Sequence, residues 1–304
     1  MNTLTYPQFR DRLIEDLKSG FPQADISSIY LSKTRGRSYD GISVCFKDKN
    51  AGPVINAEAI YSDYRLTGDF RSSADRACQF VSDSMERMPS LPCAQLNYYD
   101  RMRETLVLQL IPIEGNEELL EDVPFRTVHD MALLCRFVME PSAGQTPSLL
   151  VRKDLLDSFG ITEDELFDDA LEFAPRNRPA TLQPLEEVIA RMLGEDVPQA
   201  DSLPAYVASV QGAFMGAAAV LYPGFLQDAA ALLGGSFYMI PSSVHEMLLI
   251  PCSEEADPKL LHSMLCNVNK YEVEEEDLLS NTLYRYDAEK DAILVAESGD
   301  GPLH

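Results

Sequence analysis

Two serines, a histidine and a glutamate crowd into the segment IPSSVHEMLLIP, as Ser242, Ser243, His245 and Glu246. Hydroxyl, imidazole and carboxylate are the groups from which a nucleophile, its base and an orienting acid are assembled. Their spacing works against a local triad. Val244 to Pro251 reads as a strand, on which Ser243 and His245 share one face while Glu246 points to the other. No GxSxG turn occurs in the chain to raise a serine for attack. A turn whose serines bond backbone groups, followed by a strand histidine with a polar partner, accounts for the same residues without catalysis.

Other constellations fall short of a complete motif. Gly212 and Gly216 follow the strand Ala205 to Val210 and superficially resemble a phosphate-binding strand-loop-helix, whose helix start attracts anions. The third glycine of GxGxxG is missing, no GK[ST] follows, and no lysine or arginine lies between Met192 and Pro258. Close packing of small residues explains these glycines better. A metal would have to use His129 with Asp130, or His262 with Asp257; neither pair has a HExxH pattern or a second histidine at helical spacing, so no metal and no cofactor is expected. The acidic runs at 163–172 and 272–277 lack the alternating oxygen ligands and glycine of a calcium loop and read as solvated helix faces. Lys33, Arg35, Arg37, Lys47 and Lys49 form the one positive cluster, a place to meet an anion or acidic partner, although a solvated hairpin face is the plainer account. Tyr61, Tyr64, Tyr98, Tyr99, Tyr284 and Tyr286 suit either an interface or ordinary packing.

These groups must be positioned by mixed elements. Phe9, Leu13, Ile14 and Leu17 fall at helical spacing before Gly20 and Pro22, which predicts an opening helix from Tyr6. Ile26 to Ser32 and Gly41 to Phe46 flank a polar turn as a hairpin. Helical patterns follow over Ala57 to Leu66, with Gly68 as cap, and over Ser72 to Met88. Thr105 to Ile113 and Leu133 to Val138 read as strands, with a short acidic helix between them. Thr162 with Glu165 makes a capping box, and Pro184 opens a further helix. GEDVPQADSLP is the expected linker, dividing a lobe at 1–195 from an acidic lobe at 196–304. Beyond it come a strand to Val210, helices over Phe214 to Tyr222 and Phe225 to Leu233, two strands around Ser242, a helix from Pro258 to Val268, and a terminal hairpin. Strands and helices mix without a strict βαβ rhythm, so the expected fold is α+β, two lobes of helices and mostly antiparallel strands.

Charge is placed unevenly. Of a formal −24, residues 1–150 carry 16 basic and 21 acidic side chains, or −5, and residues 151–304 carry 9 and 28, or −19. A phosphate backbone would find little to neutralise it in the second half, so direct nucleic-acid binding is not expected and a basic protein partner is. The six cysteines are scattered without CxxC pairs, the start lacks a signal-peptide core, and no apolar run reaches membrane-spanning length. A cytoplasmic location without membrane contact is the expectation.

NEELLEDVPFRTVHDMALL, ITEDELFDDALEFAPRNRP, AAAVLYPGFLQDAAALLGGSFYMIPSSVHEMLLIP and LLSNTLYRYD, with the opening helix and DGISV, occur in an order that resembles the bacterial DUF5688 family, and more distantly DUF1444. The resemblance implies a bacterial cytoplasmic setting but brings no catalytic residues. The leading expectation is a non-enzymatic interaction or regulatory protein. The alternatives are a hydrolase using His245 with Ser242 or Ser243 and an acid from another segment, and an acidic decoy imitating the charge of DNA.

Overall fold

The computed structural model describes residues 4–32, 38–46, 52–87, 99–138, 148–194 and 203–296. Backbone contacts divide the chain into two compact units, one comprising residues 1–99 and 140–147 and the other residues 100–139 and 148–304.

The first unit lays three helices on a small sheet. α1 (Tyr6–Gly20) starts from Thr5, whose backbone N–H donates to Gln8 Oε1 at 3.0 Å in the reciprocal cap that Thr and Gln at this spacing allow. β1 (Ala24–Ser32) and β2 (Ser38–Phe46) pair antiparallel, and β3 (Val54–Asn56) adds to β2. α2 (Ala57–Thr67) ends at Gly68, which takes the left-handed conformation (φ 70°), and α3 (Phe70–Arg87) follows. Phe9, Leu13, Leu17, Ile42, Val44 and Val81 are buried together, with Tyr61, Tyr64 and Phe70 packed ring to ring around Phe9. Tyr61 and Tyr64 therefore belong to this core. Tyr64 Oη also accepts the Leu4 N–H at 2.9 Å, which satisfies the polar end of a buried ring.

The second unit contains two antiparallel sheets. α4 (Tyr99–Met102) and a 3-10 turn (Arg103–Thr105) lead into β4 (Leu106–Pro112). α5 (Glu117–Glu121), β5 (Phe125–Val128), β6 (Met131–Val138) and β7 (Ser148–Leu150) complete a four-stranded sheet in which β6 pairs with β4, β5 and β7. β6 is buried at nearly every position, so its residues face packed elements on both sides and strict alternation fades, as in any doubly covered strand. α6 (Lys153–Phe159) ends at Gly160, and α7 (Glu163–Asn177) packs Leu166, Phe167, Ala170 and Ala174 toward β4. The Thr162 N–H and hydroxyl both donate to Glu165, which holds the Glu165 carboxyl below the usual carboxylate range.

β8 (Ala180–Pro184), α8 (Leu185–Leu193), β9 (Tyr206–Val210), a buried 3-10 turn (Gly216–Leu221) and α9 (Phe225–Leu233) come next. β10 (Phe237–Ser243), β11 (Glu246–Pro251), α10 (Pro258–Tyr271), β12 (Tyr284–Asp287) and β13 (Ala292–Val295) close the described chain. The six-stranded sheet runs β13-β12-β10-β11-β9-β8. The expected division at 195–196 falls between β8 and β9, which pair antiparallel from Ala180 opposite Val210 to Pro184 opposite Tyr206. Every strand pair among the described residues is antiparallel, and the fold is α+β. Phe214 to Tyr222, expected as an α-helix, holds instead a tighter 3-10 turn over Gly216–Leu221. Met215 enters it with φ 58°, so the chain turns sharply, and Ala217, Ala218, Ala219 and Val220 are buried in contact with β9, β11 and β4.

Candidate functional site

The hairpin of β10 and β11 carries the residues singled out by chemistry. Pairing runs regularly to Pro241 opposite Met247, then slips, so that Ser243 sits opposite Glu246 around a two-residue turn at Val244 and His245. The turn, expected at Ser242 and Ser243, thus lies at Val244 and His245. Ser242 Oγ donates to Glu246 Oε1 at 3.2 Å. Ser243 Oγ accepts the backbone N–H of His245 at 3.1 Å, a local serine turn. Neither bond brings a serine hydroxyl to the imidazole.

His245 is engaged elsewhere. Its Nδ1 accepts the Met215 N–H at 3.1 Å, and its Nε2 faces Asp277 Oδ1 at 3.2 Å. An acceptor at Nδ1 fixes the neutral ring as the tautomer with hydrogen on Nε2, which then donates to Asp277. The same segment is pinned by its main chain, since Val244 N–H donates to Asp277 O at 2.8 Å and Ser209 Oγ donates to His245 O at 2.8 Å. The Phe214 ring lies 6.4 Å from the imidazole, and the Arg178 guanidinium lies 5.8 Å over Phe214. Gly216 is where these strands of chain touch. A Cβ there would lie 2.2 Å from Ser209 Oγ, 2.5 Å from His245 O and 2.7 Å from Val210 N. Close backbone approach explains this glycine, and the six-residue turn that it opens is packed against strands.

A second polar cluster joins distant parts of the unit. Asp130, in the tight turn between β5 and β6, accepts Ser280 Oγ at 2.7 Å, Thr282 Oγ1 at 2.9 Å and the Tyr284 hydroxyl. Burial, and then the Asp130 bond, push the Tyr284 phenol well above its usual range. His129, held at φ 56°, donates Nε2–H to Ile293 O at 3.1 Å and lays its ring 5.1 Å from that of Tyr284. Asn269 Nδ2 donates to Ser280 O at 2.9 Å, which extends the cluster to α10. His129 and Asp130 thus act on separate partners, and His262 meets Cys266 Sγ at 3.7 Å. No group of three histidine, cysteine or acidic side chains able to hold a metal occurs among the described residues.

Asp277 and the hydroxyls on Asp130 were not legible as site residues in the sequence. Asp277 lies at the end of an acidic run that gives no local sign of a histidine partner 32 residues upstream. Lys33, Arg35, Arg37, Lys47 and Lys49 lie outside the described residues, as does Tyr98.

The model of a family of unknown function, DUF5688, matches residues 6–288, nearly the whole chain. The chain belongs to this family. No curated protein and no solved structure matches it. Two contacts within the second unit involve segments by which the chain resembles DUF5688. VHD of one holds SNTLY of another through Asp130, and SSVHE is locked to the turn before AAAVLYPG through His245 and Met215. No helix among the described residues is long and apolar enough to cross a membrane.

Proposed function

We propose that this DUF5688 protein is a non-enzymatic interaction or regulatory protein, working in the bacterial cytoplasm through its acidic carboxy-terminal half. The observation that carries the proposal is the engagement of both imidazole nitrogens of His245. Nδ1 receives the Met215 N–H and Nε2 faces Asp277, which leaves no ring lone pair to take a proton from Ser242 or Ser243. The hydroxyls, for their part, serve Glu246 and the His245 N–H. The cluster is a clasp that ties a hairpin to a buried turn. Cys45, Cys78, Cys135, Cys252 and Cys266 are free thiols, which suits a reducing compartment. The formal −19 on residues 151–304 favours a basic protein partner over nucleic acid.

The test has two arms. Purified protein is assayed against ester, phosphoester and peptide substrates, with the Ser242→Ala and Ser243→Ala variants beside it. Chemical cross-linking with mass spectrometry is run in the native host at modest salt. The expected result is no turnover that depends on either serine, together with reproducible protein partners. Serine-dependent hydrolysis, or a complete lack of partners, refutes the proposal.

A further inference from the structure

α10 is apolar on two adjoining faces, and among the described residues one of them is buried and the other exposed. Leu261 and Leu265 are buried with Ile240, Ile250 and Leu283. Leu260, Met264, Val268 and Tyr271 are 57%, 53%, 44% and 70% exposed. At about 100° per residue these four fall within roughly 80° of arc, directly beside the buried stripe. They form a ridge of about 16 Å along the helix. Single exposed apolar residues are ordinary, but four aligned on one helix face mark a contact surface. Met264, at the centre, is an unbranched side chain that adapts to different surfaces.

The flanks of the ridge say what fits on it. Glu254, Glu255 and Asp257 stand exposed before the helix, and Glu272, Glu274, Glu275 and Glu276 stand exposed after it, against Lys259 and Lys270 on the helix itself. Lys270 Nζ lies 5.1 Å over the Tyr271 ring, and the acids outnumber the lysines at both ends, so each end of the ridge is net negative. A second copy of the chain laid along α10 in either direction would set acid against acid. An anionic lipid surface would be repelled in the same way. A helix with apolar residues at matching spacing and lysines or arginines beyond them is complementary in both respects.

We infer that the outward ridge of α10, Leu260 to Tyr271, is the docking site for a basic amphipathic helix of a partner protein. This rests on the interaction role proposed above and names its surface. The apolar ridge provides the buried contact, and the acids at each end steer the approach and fix the ends of the partner helix.

The test uses the full chain and a synthetic peptide of about five helical turns, with leucines along one face and lysines elsewhere. A scrambled peptide of identical composition, and one with glutamates in place of the lysines, serve as controls. Binding is followed by fluorescence anisotropy, and amide exchange locates it on the chain. The patterned peptide should bind and protect α10, with affinity falling as salt rises. Met264→Glu with Val268→Glu, both on exposed positions, should weaken it at least about tenfold. Glu274→Gln, Glu275→Gln and Glu276→Gln together should flatten the salt dependence. Equal binding of the scrambled or glutamate peptide, protection elsewhere, or self-association that Met264→Glu abolishes would each overturn the inference. A photo-cross-linker at position 264 and another at the exposed Leu232 of α9 separate this failure from that of the wider role. Partners captured at 232 and none at 264 remove the docking site and leave the interaction role standing. Serine-dependent hydrolysis removes the role itself.

Discussion

Replacing Gly216 by alanine adds one methyl group at the point where three segments of the second unit converge. The new Cβ would sit 2.2 Å from Ser209 Oγ, 2.5 Å from His245 O and 2.7 Å from Val210 N, all below contact distance. Ser209 has a route of escape, since its hydroxyl can rotate away at the loss of its 2.8 Å bond to His245 O, a net cost of about 1 kcal/mol. The other two atoms are main chain in β9 and in the hairpin turn and must move bodily, which adds the roughly 1–3 kcal/mol of an overpacked site. The total is about 2–4 kcal/mol. For a unit of this size that lowers the melting temperature by about 4–16 °C, at roughly 2–4 °C per kcal/mol. Calorimetry of Gly216→Ala beside Ser209→Ala measures it, because the serine variant loses the hydrogen bond without adding a Cβ at position 216. Gly224→Ala is a second comparison: its Cβ meets nothing within 4 Å, but its φ of 81° costs about 1–2 kcal/mol for any side chain. If Gly216→Ala melts within error of Ser209→Ala, the packed junction is not what the distances say it is.

Three further outcomes follow from the geometry. Asp130→Ala should lower stability by about 2–3 kcal/mol in urea titrations and speed amide exchange over 280–284, since Ser280, Thr282 and Tyr284 lose a charged acceptor, while Asp130→Asn should lose less. The Tyr286 phenol, bonded to Asp291 at 2.6 Å, and the Tyr222 phenol, buried, are each pushed up from 10.0 to about 12. Both keep their protons in the folded chain when the unfolded chain has lost them. Their contribution to stability is therefore full below pH 10 and drains as pH rises toward 12, and Tyr286→Phe should make that decline shallower in melting curves taken across the window. Thr162→Ala, which removes the side-chain half of the cap on α7, should cost about 1 kcal/mol and fray the first turn in amide exchange.

The elements were readable where the chain supplies its own punctuation. Gly68 closes α2 in the left-handed conformation that its position after Leu66 and Thr67 foretold, and the Thr162 and Glu165 pair caps α7 as its spacing required. The 3-10 turn escaped because alanine-rich residues carry no signal that separates it from an α-helix. The difference comes from Met215 entering at positive φ and from Gly216 pressed on β9 and the hairpin turn. The candidate site was found but misdrawn. Starting the second strand at Val244 put the turn at Ser242 and Ser243, whereas the register in which β10 and β11 pair, with a slip after Pro241, puts it at Val244 and His245. His245's partners come from Met215 and Asp277, and no local pattern announces contacts at separations of 30 and 32 residues.

The carboxylate of Asp130 and the hydroxyl of Ser280 are separated by 150 residues of chain. At synthesis rates of about 5–20 residues per second, the first is made on the order of 10 s before the second. Throughout that interval β5 and β6 can pair, yet the turn between them presents an acid with none of the three hydroxyls that will later hold it. The second unit thus reaches its final arrangement only when the segment Ser280 to Tyr284 has been synthesised and threaded back to Asp130. A ribosome stalled anywhere between them carries a sheet still waiting for its latch.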